Sequence, residues 1–190
     1  MDSEAFFQGY GQRLNDALAQ ADWTTIAALA EDLAACWRQG RQVFLCGNGG
    51  SAGNALHIAN DLLYGVARRG GRGLRVQALT ANVAVLTCLA NDEGYHNAFS
   101  LQLASQAAPG DLLIALSGSG NSANILEAIA SARALGLKSW AILGYDGGKA
   151  RTAADRALHF AIDDMQIAED LQLIVGHMLM QNLCALSPAP

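Results

Sequence analysis

Val43-Phe44-Leu45-Cys46-Gly47-Asn48-Gly49-Gly50-Ser51 decides how this chain is built. An apolar run too short for a helix ends in a glycine-rich turn, and residues 51–64 then follow a helical pattern. That order is a buried strand, a tight turn and a helix. It returns at residues 112–116, where the run ends in Ser117-Gly118-Ser119-Gly120-Asn121-Ser122 before a helix over residues 123–135. Glycine lets the backbone approach an anion closely, and the first amides of the following helix point at it. Hydroxyls of Ser117, Ser119 and Ser122 add donors. No Lys follows either turn and G-x-G-x-x-G is absent, so the pair reads as a site for a phosphate ester, with no nucleotide cofactor. The bland alternative is two tight connections.

Outward from these turns, strands are expected at residues 74–79, 139–143 and 158–162. Phe6, Phe7, Tyr10, Leu14 and Leu18 recur at helical spacing, predicting a helix over residues 3–21. A second helix, capped by Thr24 or Thr25, runs to Gln39. Residues 81–89 and 98–106 read as helices broken at Asn91-Asp92-Glu93-Gly94. Gly136 reads as a C-cap, Asp146-Gly147-Gly148 turns into a short helix, and residues 165–183 form a closing helix before a frayed tail, Ser187-Pro188-Ala189-Pro190. Strands alternating with helices predict an α/β fold, a three-layer, doubly wound, mostly parallel sheet with helices on both faces. No linker or repeat interrupts residues 1–190, which read as a single domain.

Composition narrows the function classes. Apolar residues make up 52% of the 190 and charged ones 15%, a balance that points to surface covered by further copies of the chain. Net charge is −5, and the only clustered bases are Arg68-Arg69, Arg72 and Arg75, so no stripe suits nucleic acid. Cys36, Cys46, Cys88 and Cys184 form no C-x-x-C pair and lie in mostly apolar runs, the pattern of free thiols in a reducing compartment. No signal segment or membrane-length apolar run is visible, and a cytoplasmic location is expected.

Several side chains are candidates for chemistry. His57 and Asp61, four apart behind the first turn, share one helix face and can share a proton or a metal; a surface pair without chemistry has the same spacing. His177 lies in the apolar closing helix, where a core role is the ordinary reading, and Glu169 and Asp170 precede it as residues open to solvation. Asn91 and Asp92 suit sugar hydroxyls or the capping of the next helix. His96 and His159 read as loop and strand residues without a supporting pattern.

Taken in order, Gly47-Asn48-Gly49-Gly50-Ser51, Ala55-Leu56-His57, Ala90-Asn91-Asp92, Ser117 to Ser122 and Gly144-Tyr145-Asp146-Gly147-Gly148 closely resemble the phosphoheptose isomerase (sedoheptulose 7-phosphate isomerase) family. The resemblance runs over nearly the whole chain. It implies a sugar isomerase (SIS) fold and a homotetramer with sites at subunit contacts, the N-terminal helices serving oligomerisation. It implies a substrate held by Asn48, Gly49, Gly50, Ser51, Asp61, Asn91, Asp92, Ser117, Gly118, Ser119, Ser122 and Glu169, with the phosphate on the serines. It implies Asp61 as base, His177 as acid, and zinc as an optional metal with His57, Asp61, Glu169 and His177 as candidate ligands. The expected reaction converts sedoheptulose 7-phosphate to D-glycero-D-manno-heptose 7-phosphate through an enediol, for lipopolysaccharide or capsule precursors.

The chain departs from the family pattern at Asp61, where Glu is usual, and at Glu169, where Gln is usual. Gly118 replaces a Thr, and Ile167-Ala168-Glu169-Asp170 replaces Arg-Ile-Gln-Glu. These differences leave two further readings open, an isomerase of another sugar phosphate and a non-catalytic SIS tetramer that binds a protein partner, as in the similar replication-initiator-associating protein. Glu169 and His177 also differ by ~12 Å of helical rise, too far to hold one ion from a single regular helix.

Overall fold

The computed structural model describes residues 2–68 and 71–186. Arg69, named above among the clustered bases, and the tail 187–190, expected above as a frayed end, lie outside the described residues. Among the described residues the strands are β1 (Gln42–Cys46), β2 (Arg75–Ala78), β3 (Leu112–Ser117), β4 (Lys138–Leu143) and β5 (Arg156–His159). They form one sheet in the order β2-β1-β3-β4-β5, and every pairing is parallel. The expected "mostly parallel" sheet is therefore parallel throughout.

The helices are α1 (Ser3–Ala19), α2 (Trp23–Gln39), α3 (Gly50–Asn60), α4 (Val83–Asp92), α5 (Ser100–Gln106), α6 (Ala123–Ala134), α7 (Ala150–Ala153) and α8 (Met165–Ala185). Strand alternation sorts them into two layers. Val43 and Leu45 of β1 point into a core with Leu29 and Leu33 of α2, Ile58 of α3 and Leu171 and Val175 of α8. Phe44 and Cys46 point the other way, onto Phe99, Leu103 of α5 and Ile125, Ile129 of α6. A fully buried leucine of either core contributes roughly 1.5–3 kcal/mol, and truncating Leu33 to Ala is expected to cost about 2–5 kcal/mol.

Local differences from the sequence reading have plain causes. Asp22, not Thr24 or Thr25, caps α2, because its carboxylate accepts the Thr25 N–H at 3.0 Å. Gly136 follows the end of α6 with φ +75°, the left-handed turn expected there. Asn91 and Asp92 are not in the break; they complete α4, and the chain leaves the helix at Glu93. The helix after the first turn does not run regularly to Tyr64. It changes at Asp61 into a π-helical turn, Asp61–Gly65, where the Val66 N–H reaches back five residues to the Asp61 carbonyl. Such turns swing side chains off the regular spiral and are frequent at functional sites.

The sheet order places the site. β1 connects outward to β2 on one side, whereas its other neighbour is β3. The two glycine-rich turns, one after each of these central strands, therefore lie side by side at the carboxyl ends, the usual ligand crevice of an open parallel sheet.

Candidate active site

The turns after β1 and β3 enclose a cavity of about 260 Å³ lined by Asn48, Gly49, Ser51, Leu116, Ser117, Gly118, Ser119, Ser122, Met165 and Glu169. The serines are arranged as donors. Ser117 Oγ accepts the Gly120 N–H at 3.0 Å, and Ser119 Oγ accepts the Asn121 N–H at 3.3 Å. A hydroxyl that accepts from the loop keeps its own proton for a ligand. Ser122 sits at the N-cap of α6 but makes no capping bond through its side chain.

The two helix N-termini at this cavity are not equivalent. Glu169 of α8 turns its carboxylate onto the start of α3, where Oε1 accepts the Ser51 N–H at 3.2 Å. Gly50 makes room for it, since a Cβ there would stand 2.1 Å from Oε2. The positive end of α3 is thus already met by a carboxylate of the chain, while α6 presents its N-terminus and three serines to the cavity. Sequence reasoning treated both turns as phosphate-type and Glu169 as open to solvation; the fold divides their tasks. Asp170 is likewise engaged, accepting from the Tyr10 hydroxyl at 2.5 Å.

Two turns further along α8, His177 reaches the other end of α3. Its Nε2 lies 3.0 Å from Nε2 of His57, and Asp61 Oδ2 stands 3.4 Å from His57 Nε2 and 3.6 Å from His177 Nε2. The helices can close this far because Gly176 has no side chain; a Cβ there would come within 2.5 Å of Ile58. Asp61 is mostly covered, with its side chain 15% exposed, while the imidazoles are 49% and 42% exposed, so the cluster is open on its histidine side. His177 is therefore not the core histidine its apolar surroundings suggest, and the His57–Asp61 spacing does bring those two together.

Two neutral imidazoles and a carboxylate are a donor set suited to zinc with one position left open. Ligands of a tetrahedral ion at ~2.0 Å lie roughly 3.3 Å apart, close to the separations within this trio. His57, Asp61 and His177 form the group of candidate ligand atoms within 4.8 Å of one another; Glu169 is not in it. The expectation that Glu169 joins this set fails within one chain for the reason its spacing gives, two turns of a continuous helix.

Asn91 and Asp92 do not line the cavity. They pair with each other at 2.7 Å at the end of α4, and the Asn91 amide, with the Cys88 thiol, holds Asp92 below the usual carboxylate range. Cys46, just before the first turn, is fully buried, and burial pushes its thiol up to about 12, which keeps it out of thiolate chemistry. His159 ends β5 and bonds the Tyr145 carbonyl at 2.9 Å, and His96 sits in a short turn. Four residues at the site carried no signal of their own: Met165, whose sulfur fills the space beside Gly118, Asn54, which donates to the Glu169 carbonyl at 2.8 Å, and Tyr95 and Asn124, both bonded to Asn48. Three of them border quoted motifs: Asn54 precedes Ala55-Leu56-His57, Tyr95 follows Asn91-Asp92-Glu93-Gly94, and Asn124 stands two residues past Ser122.

The arrangement pairs an anion-ready cavity with a carboxylate–imidazole cluster further along the same two helices. It can hold a phosphorylated chain at one end and move protons at the other. Among the described residues no helix is long and apolar enough to cross a membrane.

Comparison with known proteins agrees with this geometry. A family model described as SIS domain matches residues 6–144. A phosphoheptose isomerase of Chlorobaculum parvum is 40% identical over 176 residues, which is 90% of this chain and 83% of that protein. The solved phosphoheptose isomerase of Neisseria gonorrhoeae superposes with a TM-score of 0.89 at 26% identity, covering 96% of this chain and 99% of that one. The solved enzyme from Francisella tularensis does so with a TM-score of 0.88 at 28% identity, covering 96% and 98%.

Proposed function

Because the chain belongs to the phosphoheptose isomerase family of SIS-domain proteins, and is thereby a sugar-phosphate isomerase, we propose that it interconverts sedoheptulose 7-phosphate and D-glycero-D-manno-heptose 7-phosphate. The observation that carries this reading is Asp61 held between His57 and His177 on the helices that also border the serine-lined cavity. The phosphate is assigned to Ser117, Ser119 and Ser122, and the sugar to the side of Asn48, Gly49, Gly50, Ser51 and Glu169. Asn91 and Asp92 are assigned to the sugar as well, reached across a subunit contact.

In this reading Asp61 takes the proton from the carbon beside the carbonyl while His177 protonates the carbonyl oxygen, which gives the enediol. Asp61 then returns its proton to the former carbonyl carbon as His177 takes back the proton of the other hydroxyl, which restores both groups. The covered carboxylate and the more open imidazole suit those two tasks. When bound by His57, Asp61 and His177, a zinc ion supplies polarisation of the sugar oxygens.

Residues 1–190 are read as one SIS domain that works as a homotetramer. Support comes from apolar surface the single chain leaves uncovered: Phe6 and Phe7 of α1, Leu63 and Tyr64 of the π-helical turn, and α4, in which no residue is buried. A cytoplasmic setting is proposed on the four free cysteines.

Solvent-deuterium exchange followed by NMR tests the reaction. With sedoheptulose 7-phosphate in heavy water, deuterium should enter at the carbon next to the carbonyl. Binding without exchange would leave the chain a binding protein and remove the isomerase assignment.

A further inference from the structure

Asn48 is the only residue of the first glycine-rich turn whose side chain is held from two other elements of the fold among the described residues. Asn124, in the first turn of α6 and 3% exposed, forms a reciprocal amide pair with it: Asn48 Nδ2 donates to Asn124 Oδ1 at 2.9 Å, and Asn124 Nδ2 donates to Asn48 Oδ1 at 2.8 Å. Tyr95, from the short turn after α4, donates its hydroxyl to the same Asn48 Oδ1 at 2.7 Å. A primary amide offers two carbonyl lone pairs and two N–H groups. In Asn48 both lone pairs and one N–H are taken. A single N–H remains, on a side chain that lines the serine cavity.

We propose that Asn124 and Tyr95 are positioning residues that fix the Asn48 amide so that it presents a hydrogen-bond donor, and no acceptor, to an oxygen of the bound sugar phosphate. This rests on the isomerase reading for the identity of the ligand. Asn124 stands two residues beyond Ser122, so the amide pair also ties the first turn to the serine turn and sets their separation. Tyr95 ties the segment after Asn91 and Asp92 to the same point. A donor that is pre-aimed in this way binds ground and transition states alike, and its loss appears in KM.

A double-mutant cycle tests the assignment, with sedoheptulose 7-phosphate as the probe, Kd from calorimetry, steady-state kinetics and the thermal midpoint of each variant. Asn48→Ala and Asn124→Ala should each weaken binding about tenfold and raise KM with kcat changed less than about twofold. Asn124→Ala placed on Asn48→Ala should add less than about twofold, because its effect acts through Asn48. Tyr95→Phe removes one hydroxyl from a half-exposed ring, cannot unfold the chain, and should weaken binding about two- to fivefold, again only while Asn48 is present. Additive losses in the cycle, or a Tyr95→Phe effect that persists without Asn48, overturn the proposal. A wild type that binds the probe without turnover defeats the isomerase reading alone, and the cycle on Kd still decides this one. A wild type that does not bind the probe overturns both.

Discussion

The Nε2 atoms of His57 and His177 face each other at 3.0 Å, although the residues are 120 apart in sequence. At that separation the two nitrogens cannot both carry a hydrogen toward each other, so the pair can share one proton or flank one cation. Asp61 Oδ2 completes the triangle at 3.4 and 3.6 Å. The same three atoms suit either a shared proton or a metal, and Glu169 lies two turns away from them along α8.

That division predicts the metal dependence. Zinc titrated into chelator-treated protein should bind through His57, Asp61 and His177. His57→Ala and His177→Ala should each lower the affinity by more than the roughly 10–100-fold that losing a hydrogen-bond partner of a ligand costs. Glu169→Ala should leave it within about twofold. A Glu169→Ala protein that loses zinc as fully as His177→Ala would sink the three-ligand assignment.

Asp61→Asn keeps the shape of the side chain and removes its basicity. Turnover of sedoheptulose 7-phosphate should fall by about 10²–10⁴, while the affinity measured by calorimetry stays nearly unchanged, since the serine cavity is untouched. Unchanged turnover would take Asp61 out of the mechanism.

Much of this was readable from the chain. β1 and β3 announce themselves because both are buried on both faces and end in glycine-rich turns, and the His57–Asp61 contact follows from helical spacing alone. The spacing of Glu169 and His177 on α8 already argued against a shared ion. What escaped depends on elements meeting in space. The Asn48 bonds to Asn124 and Tyr95 span 76 and 47 residues and involve side chains with no local pattern. The π-helical turn at Asp61 leaves the apolar spacing nearly intact, so periodicity does not reveal it. Reading Thr24 or Thr25 as the cap sets the start of α2 later than Trp23 and passes over Asp22, although Asp is at least as good a cap as Thr.

Tyr10 fastens α1 to α8 through its 2.5 Å bond to Asp170, and that bond, with partial burial and the Asp170 charge, pushes the phenol up to about 12. The ordinary value is about 10. Folding therefore favours the protonated phenol. The stabilisation is fully present below about pH 10 and is lost as pH rises toward about 12. Tyr10→Phe should cost about 1 kcal/mol in urea unfolding near neutral pH. The gap between wild type and variant should close between about pH 10 and 12. A gap that stays constant across that interval would show that the bond does not fasten the helix.

Gly50 offers the sharpest test of the carboxylate at the head of α3. An alanine Cβ there would stand 2.1 Å from Glu169 Oε2 and 2.4 Å from its Cδ. The obstacle is the end of a flexible side chain, so the fold should survive. Alanine is also about 1 kcal/mol better than glycine within a helix, and the thermal midpoint of Gly50→Ala should stay close to wild type. The displaced carboxylate, however, gives up the Ser51 N–H and swings into the cavity that Ser117, Ser119 and Ser122 share. A negative charge moved toward a phosphate site should weaken sugar-phosphate binding about tenfold. Removing the intruding group reverses this: Gly50→Ala combined with Glu169→Ala should bind no more weakly than Glu169→Ala alone. If the two losses add instead, Gly50 acts through the turn's backbone and the carboxylate is a bystander.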